Sequence, residues 1–159
     1  MVTQERLKEL FSYDPMTGIF VHRISRGPAR VGHRAGSPSG HGYRKIVIDY
    51  ERFYEHHLAW LYIYGEWPDE LDHVDRDGNN NRISNLRKAS RSQNNVNSMF
   101  AKKGAYFDRR TNRWFSKIQV NHRSVWLGDF CTAEEAHDAY SQALTQYYGD
   151  FVPHEMRKE

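Results

Sequence analysis

Cysteine is nearly missing from this chain of 159 residues: Cys131 is the only one. That excludes an intramolecular disulfide framework and any Cys-x-x-Cys zinc site, and Cys131 is expected to pack as a small apolar side chain. No apolar run approaches membrane-spanning length, and Met1 to Lys8 lacks the apolar core of a signal peptide, so an intracellular, cytoplasmic protein with no membrane partner is expected. There is no internal repeat and no low-complexity tract. Net charge is also small, formally +3. It is unevenly spread, however. Residues 76 to 123 hold twelve Lys and Arg against two acids, whereas the stretch from Asp129 onward holds seven acids against Arg157 and Lys158. A basic block flanked by less basic sequence is the footprint of a polyanion partner.

The length suits one domain or two small ones, and the change of pattern near residue 100 favours two. A short helix is predicted over residues 3 to 11, a turn over Asp14 to Gly18, and strands over Ile19 to Arg23 and Tyr43 to Ile48, separated by a basic loop rich in Gly, Pro and Ser. Glu55 to Tyr64 reads as an apolar helix stopped by Gly65 and Pro68. Leu71 to Val74 and Leu86 to Ala89 read as strands flanking a turn-rich loop. Ser90 and Gln93 form a capping box that starts a helix near Arg91. Beyond a linker from Asn97 to Gly104, the segments Ala105 to Asp108, Trp114 to Val120 and Ser124 to Phe130 alternate as strands. Thr132 and Glu135 form a second capping box, opening a helix with Ala136, Ala139, Tyr140, Ala143, Leu144 and Tyr147 on its apolar face. The expected fold is therefore α+β, ending in a three-stranded antiparallel sheet packed on one helix.

The chemistry concentrates between Leu71 and Asn94. Adjacent residues on a strand project to opposite faces, so Asp72 can reach a metal while His73 approaches an attacking water. A histidine titrates near neutrality and suits a general base. Asn94, on the following helix, offers an amide oxygen as second ligand, and a sparse oxygen set suits one Mg²⁺ or Mn²⁺ per site. Asn85 is placed to hold the loop and to orient the His73 ring. Asn79, Asn80, Asn81 and Asn95 read as turn, cap or phosphate-contact residues, and His56 as a buried histidine rather than a ligand. The loop is not a calcium loop: with Gly78 sixth of twelve it would begin at His73 and end at Ser84, where Asp and Glu are needed.

Residues 10 to 97 resemble the HNH homing endonucleases of phages and introns. The likeness rests on Tyr13-Asp14-Pro15-Met16-Thr17-Gly18, His56-His57-Leu58-Ala59-Trp60, Asp72-His73, Asn81-Arg82-Ile83-Ser84-Asn85-Leu86-Arg87 and Gln93-Asn94-Asn95. It implies a ββα-metal nuclease domain over residues 1–99, with Asp72 and Asn94 as metal ligands, His73 as base and Asn85 as the central Asn. His57 stands where many relatives have Arg. Residues 103 to 151 resemble the Apetala-two/ethylene-response DNA-binding domain in Lys103-Gly104, Arg113-Trp114, Trp126-Leu127-Gly128-Asp129-Phe130 and Thr132 to Tyr140. That implies a DNA-binding domain over residues 100–159 whose sheet lies in the major groove of duplex DNA. Arg109, Arg110, Arg113, Lys117, Gln119, Arg123 and Trp126 are its expected contacts, joined by Arg87 and Arg91 of the first domain. Of Trp114 and Trp126, one is expected in the core and one on the surface. The expected activity is nicking of double-stranded DNA by a monomer. The alternative is a sequence-specific DNA-binding regulator with a non-catalytic nuclease fold.

Overall fold

The computed structural model describes residues 1–97, 104–154 and 157. Packing divides the chain into two compact units, Met1–Lys88 and Ala89–Glu159. The expected linker lies mostly outside the described residues. No helix among them is long and apolar enough to cross a membrane.

In the first unit, Thr3 caps helix α1 (Gln4–Leu10), its hydroxyl accepting from the Arg6 N–H at 3.2 Å. The helix stops one residue earlier than its apolar spacing predicts. Phe11 is already extended, because Phe11 and Tyr13 are buried at the two-residue period of strand β1 (Phe11–Asp14). β1 pairs antiparallel with β2 (Ile19–His22) across a turn held by the Asp14 carboxylate, which accepts from the Met16 N–H and the Thr17 hydroxyl. A second sheet consists of β3 (Ser37–Pro38), β4 (Arg44–Ile48) and β5 (Glu51–Tyr54). The β4–β5 hairpin turns through Asp49 and Tyr50, both at positive φ, and β5 carried no sequence signal because Asp-Tyr is not a strong hairpin turn pair.

Helix α2 (Glu55–Tyr64) ends at Gly65, whose left-handed backbone returns its N–H to the Leu61 carbonyl. It buries Leu58, Ala59, Trp60 and Leu61 against Leu7, Leu10, Phe20, Ile46 and Ile48. The unit closes with a hairpin of β6 (Leu71–His73) and β7 (Leu86–Lys88).

The second unit opens with α3 (Arg91–Asn97), where the Ser90 hydroxyl accepts from the Gln93 N–H and the Gln93 side chain accepts from the Ser90 N–H. Three strands, β8 (Ala105–Asp108), β9 (Arg113–Val120) and β10 (Arg123–Phe130), form an antiparallel sheet with β9 central. Asn121 and His122, both at positive φ, turn β9 into β10, and a bulge interrupts their register between Trp126 and Gly128. Helix α4 (Ala133–Tyr148) covers one face, burying Ala136, Ala143, Leu144 and Tyr148. Val96 of α3 joins Leu144, Ile118 and Val152 in the core, which is why α3 packs with this unit.

Two expectations are corrected. Tyr147 is exposed and Tyr148 buried, since the packed stripe runs 136, 140, 144, 148 at intervals of four. Cys131 is exposed, on the turn just before the α4 cap. Replacing Thr132 with Ala removes one half of the reciprocal α4 cap; the expected loss is about 1 kcal/mol of unfolding free energy in urea titration.

Candidate active site

All three residues of β6 are buried, yet their side chains part company. Asp72 and Arg87 are direct cross-strand partners, and the Arg87 guanidinium holds Asp72 Oδ2 through Nε at 2.8 Å and Nη2 at 2.7 Å. Arg87, expected at DNA, thus lies on the carboxylate expected at the metal. His73 leaves the opposite face and enters the interior, where its Nε2 lies 3.1 Å from Asn81 Oδ1. Around it stand the rings of Tyr43 and His56, with centroids at 5.8 and 5.0 Å.

The loop from Val74 to Arg82 is fixed by an exchange between Asp75 and Asn85. Asn85 Oδ1 accepts from the Asp75 N–H, and Asn85 Nδ2 donates to Asp75 Oδ1 and to the Asn80 carbonyl. Asp75 also accepts from the Asp77 N–H and from Asn80 Nδ2. Burial pushes the Asp75 carboxyl up, but these donors together hold it below its ordinary value. Asn85 thus holds the loop, whereas the His73 ring, which it was also expected to orient, meets Asn81. Asn80 caps the loop, accepting from the Arg82 N–H.

Asn81 is a different matter. It is fully buried, and its carbonyl accepts from the Tyr13 hydroxyl at 2.7 Å. Gly18, at φ +73°, packs so closely on it that a Cβ there would come within 2.5 Å of the Asn81 carbonyl carbon. Its Nδ2 donates to Glu55 Oε2 at 3.2 Å, and Arg44 Nε donates to Glu55 Oε1 at 3.1 Å. Glu55 is itself 1% exposed. Burial pushes its carboxyl up, and Arg44 is first among the groups that pull it back. Gly36 makes room for that carboxylate: a Cβ there would overlap Glu55 Oε1.

The sequence reads Asn81 as a turn, cap or phosphate-contact residue and gives Glu55 and Tyr43 no role in the site. The only signal for Glu55 was a carboxylate opening an otherwise apolar helix. Its pairing with a residue 26 positions away is a tertiary event.

Asn94 lies on α3, in the second unit, and is half-buried. Arg91 on the same helix is exposed. The described residues contain no group of three His, Cys, Asp or Glu suited to a metal. The Asp72 carboxylate is the oxygen-donor type that a hard cation keeping most of its waters takes, and here it is held by Arg87.

In the second unit, β9 alternates cleanly. Trp114, Ser116, Ile118 and Val120 face α4, and Arg113, Phe115, Lys117 and Gln119 share the open face. Cross-strand partners put Tyr106 and Trp126 on that open face. The rings of Tyr106, Phe115 and Trp126 form a stack, with successive centroids at 5.3 and 5.0 Å. Trp126 is 56% exposed, which makes it the surface tryptophan; Trp114 is half-buried beside Phe107. Arg109 and Arg110 sit exposed in the β8–β9 turn. Arg123 pairs with Val120 and so has the parity of the helix-facing row, although it is exposed at the end of the sheet.

Residues 53–96 match a family model described as HNH endonuclease. The match runs from the end of β5 through Asp72, His73, Asn81 and Asn85 to Val96 in α3, and it supports an HNH nuclease domain and, with it, a nuclease acting on DNA. No curated protein and no solved structure matches the chain.

Burial, followed by the neighbouring His57 and His73, pushes His56 down to about 2. A ring kept neutral in the fold but free to protonate when unfolded stabilises the protein above the ordinary histidine value, and that contribution is lost as pH falls through the folded value. Unfolding free energy is therefore expected to decline as pH drops below about 6.5 toward 2, and His56→Gln should flatten that slope in urea titrations run at several pH values.

Proposed function

We propose that this chain is a metal-dependent HNH endonuclease of the homing type that nicks one strand of double-stranded DNA. The observation that carries the reading is the overlap of the HNH match at residues 53–96 with a hairpin that turns Asp72 to one face and the ring of His73 to a buried polar partner on the other. In this reading His73 takes a proton from the attacking water. The water oxygen bonds to phosphorus, the bond to the 3′ oxygen breaks, and that oxygen is protonated from solvent, leaving 5′ phosphate and 3′ hydroxyl ends. Asp72 and Asn94 would hold Mg²⁺ or Mn²⁺, which supplies positive charge for the developing phosphorane charge when bound. Asn85 keeps the loop beside His73 in one shape through Asp75.

The second unit serves as the duplex-binding module. Its open face groups Arg113, Lys117 and Gln119 around a stacked aromatic row ending in Trp126. Lys meets phosphate, while Arg and Gln can read base edges. Arg109, Arg110, Arg123 and Arg91 add charge, while Arg87 of the first unit is held by Asp72. The protein acts as a monomer in the cytoplasm, in the host cell for a phage-encoded form.

The Asp72–Arg87 ion pair favours one rival, a DNA-binding regulator on a non-catalytic nuclease fold, because it spends the carboxylate within the protein. Incubation with supercoiled plasmid separates the two. Wild type with Mg²⁺ or Mn²⁺ is expected to give open circles, EDTA to abolish them, and His73→Ala to slow them by about 10²-fold or more with unchanged DNA binding. Lys117→Ala is expected to weaken binding and to reduce its salt dependence by about one counterion. DNA bound but never cut under any metal would favour the regulator.

A further inference from the structure

We propose that Asn81 is a positioning residue that chooses which nitrogen of His73 is basic, and that Glu55 and Arg44 make the choice for it. The inference rests on the nuclease reading above and extends it to residues given no role there. A neutral imidazole has one N–H and one lone pair, and which nitrogen holds the proton follows from the partner of the other.

The relay leaves no freedom at any step. Arg44 donates to Glu55 Oε1, and a carboxylate paired in this way with a guanidinium can, in its ionised form, only accept. Asn81 must therefore turn its NH₂ toward Glu55 Oε2, and the same amide then presents Oδ1 to His73. An amide oxygen only accepts, so His73 Nε2 carries the proton and Nδ1 holds the lone pair that can take a proton from water. The Asn81 backbone is fixed, so that only the orientation of its amide is left for Glu55 to decide. The residue is fully buried, clamped by the Tyr13 hydroxyl on its carbonyl and by Gly18 against its backbone. The tautomer of the base is thus written by a carboxylate on α2 and a guanidinium on β4, two elements remote in sequence from the hairpin.

Glu55→Gln tests this without changing shape. Arg44 keeps the Gln oxygen turned to itself, so the Gln NH₂ faces Asn81. Asn81 then flips, its own NH₂ points at His73 Nε2, and the proton moves to Nδ1. Long-range ¹H–¹⁵N correlation spectra of the ¹⁵N-labelled full chain, without metal, report the tautomer directly, and circular dichroism checks that each variant is folded. The wild type is expected to show Nε2–H and Glu55→Gln to show Nδ1–H. In the plasmid assay, Glu55→Gln and Asn81→Ala are expected to lose on the order of 10-fold or more in kcat, at a KM for DNA within about twofold of wild type. A wild-type ring protonated at Nδ1, or a folded Glu55→Gln protein that keeps Nε2–H, overturns the inference whatever the cleavage assay gives. A wild type with the expected tautomer that never cuts DNA overturns the nuclease reading and the catalytic part of the inference, while the spectra still decide the tautomer.

Discussion

The interior of the first unit is organised around one buried negative charge. A carboxylate that is 1% exposed is costly unless fully paired, and Glu55 is paired on both oxygens, by Arg44 and by Asn81. Much else follows from that requirement. Gly36 must lack a side chain where the carboxylate packs, Asn81 must be buried with its amide in one orientation, and His73 must meet an acceptor rather than a donor. Removing either partner would leave a charge stranded in the interior, which is why this constraint shapes the site more than any single apolar contact.

The hairpin joins this buried network to the Asp72–Arg87 ion pair. Alternation along β6 sends successive side chains to opposite faces, so one strand serves two jobs. His73 faces inward to the polar relay, and Asp72 pairs with Arg87 across the ladder. The loop between the strands is rigid for a separate reason, the exchange of hydrogen bonds between Asp75 and Asn85. The residues around His73 are held by two independent systems, one from the core and one within the loop.

Much of the fold was legible because its elements carry local signals. The α2 apolar run ends at a left-handed Gly65, the α3 and α4 starts carry reciprocal caps, and the β9–β10 turn uses Asn121, all readable from neighbouring residues. The elements that were misread depend on distant packing. β5 follows a turn of Asp49 and Tyr50, and Phe11 leaves the helix because tertiary burial of Phe11 and Tyr13 favours a strand. At the site, Asp72, His73 and Asn85 stood out by chemistry and spacing. Asn81 did not, because a run of three Asn in a turn-rich loop reads as solvent-facing, and only the fold reveals that the third faces Glu55.

The central claim is that the Asp72 side of this hairpin binds the divalent ion that the chemistry requires. The most direct measurement is a titration of the ¹⁵N-labelled chain with Mn²⁺, followed by paramagnetic broadening of amide resonances. The account predicts that the amides of Asp72 and His73 broaden first and that Asp72→Ala abolishes this selectivity. Broadening that begins elsewhere, or that persists unchanged in Asp72→Ala, would contradict it.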